Sequence, residues 1–364
     1  MGRHVGVDLH KRSFQVCYLS KGKSEQREFM VSKVGIEAFR ESLKKSDRVG
    51  IEATGNARYL TGEIEKVVKE VKLINPWQFK VISRSVKKTD ERDAETIAKY
   101  MSKELIPEVR MRSKEEQQTA SLITTRDKLV KLRSALKNKI HGILNANGFV
   151  TEREIFTSEK GLERVFKLGL DAAYEFELRI IVDQIKSLTV SIDKITGELT
   201  NRGKKMDGFE NLKKITGIGD VSATIMLSAI GNVGDFEDSD KLAAYFGIVP
   251  RVHNSSDIVR HGRITKMGNK IARTALVQST LIAIRYSPYL RSFYSRLKTN
   301  KGSGKAIIAT SRKMLAIIYR TLKYKIKSYF SCKSFEGIRC FLVEILRSLI
   351  ASWPSCSRNS MILT

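Results

Sequence analysis

The first apolar run of the chain, Val5-Gly6-Val7-Asp8-Leu9, carries a carboxylate near its middle. Such a run reads as a buried strand, and a carboxylate on a buried strand is costly unless something cationic satisfies it. A fold for this chain therefore has to bring compensating groups to Asp8. A second run, Phe14-Gln15-Val16-Cys17-Tyr18, follows across a polar turn and predicts a β-hairpin. A third strand over residues 27–31 completes an antiparallel meander.

Next come a helix over residues 36–43, a strand over 48–52, a helix over 59–71, a strand over 71–74 and a helix starting near Thr89. The order β-β-β-α-β-α-β-α belongs to mixed sheets of the ribonuclease-H type. Residues 113–200 lose the strand signal. One apolar stripe runs through Leu122, Leu129, Leu132, Leu136, Ile140 and Ile143. A second, through Leu178, Ile181, Ile185, Leu188, Ile192, Ile195 and Leu199, steps by three and four residues as a heptad seam does. It serves either a helical hairpin within the chain or a dimerisation stalk, because heptads do not fix partners.

Charge is the second constraint. Lys and Arg number 66 against 39 Asp and Glu, a net charge of +27 in 364 residues, which makes a polyanion the default partner. Residues 251–330 hold 18 Lys or Arg and a single acid, Asp257, which marks a nucleic-acid face. No run of 18 apolar residues occurs, the N-terminus lacks an apolar signal core, and the four cysteines have no metal-ligand spacing, so a cytoplasmic chain with free thiols and no membrane role is expected.

Four acids of the first region could carry chemistry. Asp8 lies within a strand, Glu52 ends a later one, and Asp90 and Asp93 stand three apart at a helix start. Neighbouring strand ends bring Asp8 and Glu52 together, and the three-residue spacing puts Asp90 and Asp93 on one helix face. Four converging carboxylates suit hard divalent cations, Mg2+ or Mn2+, and hence metal-assisted phosphodiester chemistry. The plainer alternative makes Asp90 an N-cap with Asp93 at the third helical position.

The strings Val5-Gly6-Val7-Asp8-Leu9-His10-Lys11, Ile51-Glu52-Ala53-Thr54-Gly55 and Lys88-Thr89-Asp90-Glu91-Arg92-Asp93-Ala94, in this order, resemble the DEDD-type insertion-sequence transposases, the family of the Piv-like DNA invertases and the bridge-RNA-guided recombinases. The resemblance implies a RuvC-like first domain whose metal ligands are Asp8, Glu52, Asp90 and Asp93. It extends to Ile215-Thr216-Gly217-Ile218-Gly219-Asp220, a glycine turn opening a helix as in helix-hairpin-helix elements, where Gly217 and Gly219 let backbone N–H groups approach phosphate. It extends further to residues 244–257 and 262–269, where the family's nucleophilic serine matches Ser255, with Ser256 as the fallback. Arg251, His253, Arg260, Arg263, Lys266, Lys270 and Arg273 surround that loop and suit phosphate contacts, which give affinity without sequence choice. In the resembled family sequence choice comes from a structured RNA.

The expected organisation is α/β plus all-α. A RuvC-like, ribonuclease-H-like domain spans residues 1–112, a helical coiled-coil linker for oligomerisation 113–205, a basic helical domain with the serine loop 206–330, and a tail of unknown role 331–364, with an amphipathic helix over 341–351. The resemblance implies a transposase and DNA recombinase that works through a phosphoserine, assisted by Mg2+ or Mn2+ and guided by RNA, as a dimer or tetramer on DNA. The alternatives are a metal-dependent nuclease or Holliday-junction resolvase, and a non-catalytic nucleic-acid-binding protein.

Overall fold

Alternation along the first strand decides the architecture of the N-terminal part. In β1 (His4–Leu9), Val5, Val7 and Leu9 point to one face and Gly6 and Asp8 to the other. The computed structural model describes residues 2–76, 78–79, 89–152, 156, 158–255 and 258–325, without the side chains of 159, 252–255 and 258–261; Ser256 and the helix expected over 341–351 lie outside them. It divides into two compact units, Met1–Ser113 and Lys114–Thr364.

The first unit holds a five-stranded sheet in the order β3-β2-β1-β4-β5, consistent with the ribonuclease-H-like domain expected from the sequence. β2 (Ser13–Ser20) runs antiparallel to both β1 and β3 (Lys23–Met30), while β4 (Arg48–Glu52) pairs in parallel with β1 and with β5 (Glu70–Ile74). On the Val5/Val7/Leu9 face, α1 (Lys33–Ser42) and α2 (Ala57–Ile64) bury Ile36, Phe39, Leu60 and Ile64 against Val49 and Ile51. α2 stops at Ile64, short of the expected 59–71, because the Val67-Val68 pair that follows is β-branched and the chain turns there into β5.

The opposite face is made for close approach. A Cβ on Gly6 would lie 2.1 Å from the carbonyl oxygen of Ala94, and one on Gly50 would lie 2.8 Å from Met101 Cγ. Both contacts come from α3 (Asp90–Ser102), which lies across the glycines and buries Ala94, Ile97, Ala98 and Met101. The N-cap is Thr89, whose hydroxyl accepts from the Arg92 N–H; Asp90 is thus the first helical residue and Asp93 the fourth, not the cap and third position.

One charge pair in this unit is structural. Asp47 is fully buried and accepts from Arg3 Nη2 at 2.7 Å and Nε at 3.2 Å, and this hydrogen bonding, helped by its charge, raises the guanidinium's affinity for its proton. In urea denaturation, Arg3→Met is expected to lower the unfolding free energy by about 3 kcal/mol, because Asp47 stays buried and, among the described residues, keeps the Lys44 N–H alone as a partner for its side chain.

In the second unit α4 (Lys114–Ala146) and α6 (Ala172–Lys204) are 33-residue helices packed antiparallel: Arg126 Nε donates to Thr196 and Arg133 Nη1 to Thr189, so one chain descends as the other rises. Leu178, Ile181, Ile185, Ile192 and Leu199 of the heptad seam are buried within the chain. Between the helices, α5 (Glu159–Arg164) helps form a core of Ile140, Leu144, Phe156, Leu162, Leu178 and Ile185. At the other end Ile123 and Leu199 join the main core, so residues 113–205 and 206–330, expected as separate domains, share it.

That core is built around α8 (Asp220–Ile230), which is buried continuously from Ala223 to Ile230, as a helix with no solvent face must be. Around it stand α7 (Phe209–Lys213), α9 (Ser239–Tyr245), α10 (Lys270–Tyr286), α11 (Pro288–Lys301) and α12 (Ser303–Lys323), contributing Phe209, Leu242, Leu276, Leu290 and Met314. The segment expected as the serine loop is instead a β-hairpin of β6 (Pro250–Ser255) and β7 (Ile258–Ile264). Val252, Ile258, Val259 and Ile264 supply the β-branched residues that favour it. Among the described residues no helix is long and apolar enough to cross a membrane.

Candidate active site

Parallel pairing of β1 with β4 sets Val7 opposite Ile51, so the next residues along, Asp8 and Glu52, lie at the carboxyl ends of adjacent strands. This is where open α/β sheets bind ligands. α3 lies over the same face, with Ala94 and Ala98 against Gly6 and its acidic first turn toward Asp8. That turn carries Asp90 and Asp93, and acids at a helix N-terminus are favoured by the dipole.

Asp8 is 5% exposed. Burial pushes its carboxyl up to about 6, His10 opposes the rise, and the charges of Asp93, Glu52 and Asp90 add to it. The four acids chosen from the sequence thus act on one another electrostatically at one end of the sheet. A buried carboxylate that resists ionisation, with the Asp90 carboxylate close by and the charges of Glu52 and Asp93 acting on it, has the donor chemistry that suits a divalent cation.

His10 was not among the residues singled out from the sequence. Its Nε2 lies 3.3 Å from Asp8 Oδ2 and 3.2 Å from Asp90 Oδ2, and Asp8, His10 and Asp90 offer donor atoms all within 4.8 Å of one another. Its backbone is pinned from two sides: the His10 N–H donates to the Ser13 carbonyl at 3.0 Å, and Asn56 Nδ2 donates to the His10 carbonyl at 3.0 Å. The second bond ties the loop after Glu52 to the strand that carries Asp8. Period-two alternation was the available signal, since residue 10 follows 6 and 8 onto one face.

In the second unit Ser255 is the last residue of β6, in register with Ile258 of β7. The hairpin base is a glycine clasp. Gly247 (φ +67°) would place a Cβ 2.0 Å from the Met267 carbonyl oxygen, and Gly268 (φ +102°) one 2.0 Å from that of Tyr245. Arg251, Arg263, Lys266 and Lys270 are exposed around it, while His253 and Arg260 face each other in the strand register. Arg273 is different: it is half-buried and Nη1 donates to the Phe246 carbonyl at 3.0 Å, and burial lowers its hold on its proton. Gly217 has φ +93° and would clash with the Ser279 carbonyl, whereas Gly219 caps α8 with open space beside it.

Two family models match the chain: the DEDD transposase model over residues 5–147, and that of the IS116/IS110/IS902 transposases over residues 209–295. The first spans the sheet, α3 and α4, the second the α8 core and the serine hairpin. The chain belongs to the DEDD-type insertion-sequence transposase family, whose members are DNA-cutting and rejoining enzymes. It is 28% identical to the "Probable family 20 transposase" of Pseudomonas aeruginosa, over 77% of this chain and 84% of that protein. It is 27% identical to the transposase for insertion sequence element IS1111A of Coxiella burnetii, over 87% and 89%. It is 25% identical to the pilin gene-inverting protein of Moraxella bovis, over 88% and 95%. A DEDD transposase domain implies the use of divalent metal, and the acids around Asp8 have the chemistry for it.

Proposed function

We propose that the chain recombines the DNA of a mobile insertion element through a phosphoserine intermediate, with Asp8, Glu52, Asp90 and Asp93 holding Mg2+ or Mn2+ and Ser255 as nucleophile. The observation that carries this reading is the buried Asp8 at the carboxyl end of β1, with donor atoms of His10 and Asp90 within 4.8 Å. Divalent metal, when bound there, stabilises charge developing on phosphoryl oxygens. Ser255 Oγ attacks the phosphorus, the serine–phosphate bond forms as the bond to the 3′-oxygen breaks, and a free 3′-hydroxyl is released. Attack of a 3′-hydroxyl on the phosphoserine reverses the exchange, so the bond energy is kept and no nucleotide cofactor is needed; the sequence has no G-x-x-x-x-G-K-[ST] loop.

Arg251, Arg263, Lys266 and Lys270, with His253 and Arg260, hold the phosphate backbone beside the serine, and Gly217 and Gly219 open α8 toward it. A structured guide RNA chooses the sequence, and the chain works in the cytoplasm as a homo-oligomer. The reading is tested on denaturing gels of reacted DNA. Wild-type protein is expected to give a covalent protein–DNA adduct that Ser255→Ala abolishes. Nicked DNA with no adduct would instead establish a metal-dependent nuclease or junction resolvase.

A further inference from the structure

His10 stands between two of the acids, at distances that the fold alone does not call for. A charge-assisted N–H···O bond is about 2.7–2.9 Å long, and a single Nε2 proton serves one acceptor well. Nε2 is instead nearly equidistant from two carboxylates, at 3.3 and 3.2 Å. Adjacent ligands of an octahedral ion with bonds of about 2.1 Å are about 3 Å apart, the square root of two times the bond length. The separations are close to those of neighbouring donors around one ion and long for charge-assisted hydrogen bonds.

We propose that His10 is a metal ligand of this site: Nε2 joins Asp8 Oδ2 and Asp90 Oδ2 as a third donor on one face of the ion. The proposal rests on the acid-cluster reading above and adds a consequence for metal choice. Carboxylates alone suit Mg2+, whereas imidazole favours transition-metal ions, so a nitrogen donor ranks Mn2+ above Mg2+. The accessibility of the three side chains suits this arrangement: Asp8 is nearly closed off at 7%, while His10 at 50% and Asp90 at 60% leave the outer side open to a phosphate or water. The two backbone bonds that hold residue 10 fix where its ring starts from.

The test uses full-length, tag-free protein with Mn2+ as the probe. Pulsed electron paramagnetic resonance is expected to show nitrogen coupling to the bound Mn2+, shifting with 15N-histidine labelling and vanishing in His10→Gln. Titration is expected to show Mn2+ binding weakened roughly tenfold in that variant, with Mg2+ binding weakened less. The residue is half-exposed in a turn, and an unchanged circular dichroism spectrum confirms that the variant folds. Mn2+ that binds dependent on Asp8 but without nitrogen coupling, or with coupling that survives in His10→Gln, overturns the role of His10 alone. Mn2+ binding indifferent to Asp8→Asn overturns the acid cluster as the metal site, and this proposal with it.

Discussion

Asp8→Asn is expected to stabilise the protein while abolishing its metal-dependent cleavage of DNA. The Asp8 carboxyl is raised from 3.8 to about 6, so above pH 6 the folded chain carries a buried charge that the unfolded chain holds more cheaply in water. A shift of about two units corresponds to about 3 kcal/mol, and the neutral amide is expected to recover about 2 kcal/mol of it. The sign follows from proton binding. Between the two values the native state holds a proton that the unfolded state has lost, so wild-type stability rises, relative to the variant, as the pH falls from 6 toward 4. Denaturant unfolding in chelator at pH 7.5 and at pH 5 measures the difference. The variant's advantage is expected to be largest at pH 7.5 and to shrink at pH 5; an advantage equal at both would show that burial does not hold the Asp8 carboxyl above its usual range. A residue whose removal strengthens the fold but ends activity is one kept for its chemistry.

Gly6→Ala is expected to lose metal binding although it touches no acid. The new methyl would lie 2.1 Å from the Ala94 carbonyl oxygen and 2.5 Å from the Ala98 N–H nitrogen, both backbone atoms, so α3 must move away from the sheet. Asp90 and Asp93 ride on its first turn and move with it. Overpacking of this kind costs about 1–3 kcal/mol, and the displaced carboxylates are expected to weaken Mn2+ binding by an order of magnitude, the range seen when a ligand's support is removed. Gly62→Ala in α2 is the control, with open space around its Cβ and a small gain in helix propensity expected. Calorimetric titration of both variants with Mn2+ decides it: binding by Gly6→Ala as tight as wild type would mean that α3 does not set the site.

The parts of this fold that were legible in the sequence are those fixed by local periodicity. Val5, Val7 and Leu9 alternate with Gly6 and Asp8, and the strand–helix order alone led to a five-stranded mixed sheet. Asp8 stood out because a carboxylate among apolar strand residues has few explanations, whereas His10, which the structure brings to it with Asp90, did not. What stayed hidden depends on contacts between distant segments. Gly6 and Gly50 look like ordinary strand glycines until α3 is laid across them. The polar run Asn254-Ser255-Ser256-Asp257 hid the β-branched residues on either side, so a hairpin read as a loop. Arg273 looked like its neighbours by charge, and only the packing of α10 gives its guanidinium the Phe246 carbonyl as acceptor. The heptad seam left its partner open, and α4 takes that place within the chain.

The antiparallel pair α4 and α6 has an apolar core at each end and, between them, guanidinium–hydroxyl contacts at Thr189 and Thr196. It is built like a dumbbell about 50 Å long, by the rise of a 33-residue helix. The two apolar cores are its weights, and the stretch with the hydroxyl contacts is its bar. Because both helices enter and leave the bar together, equal whole-heptad changes in each would alter its reach while leaving either weight as it is.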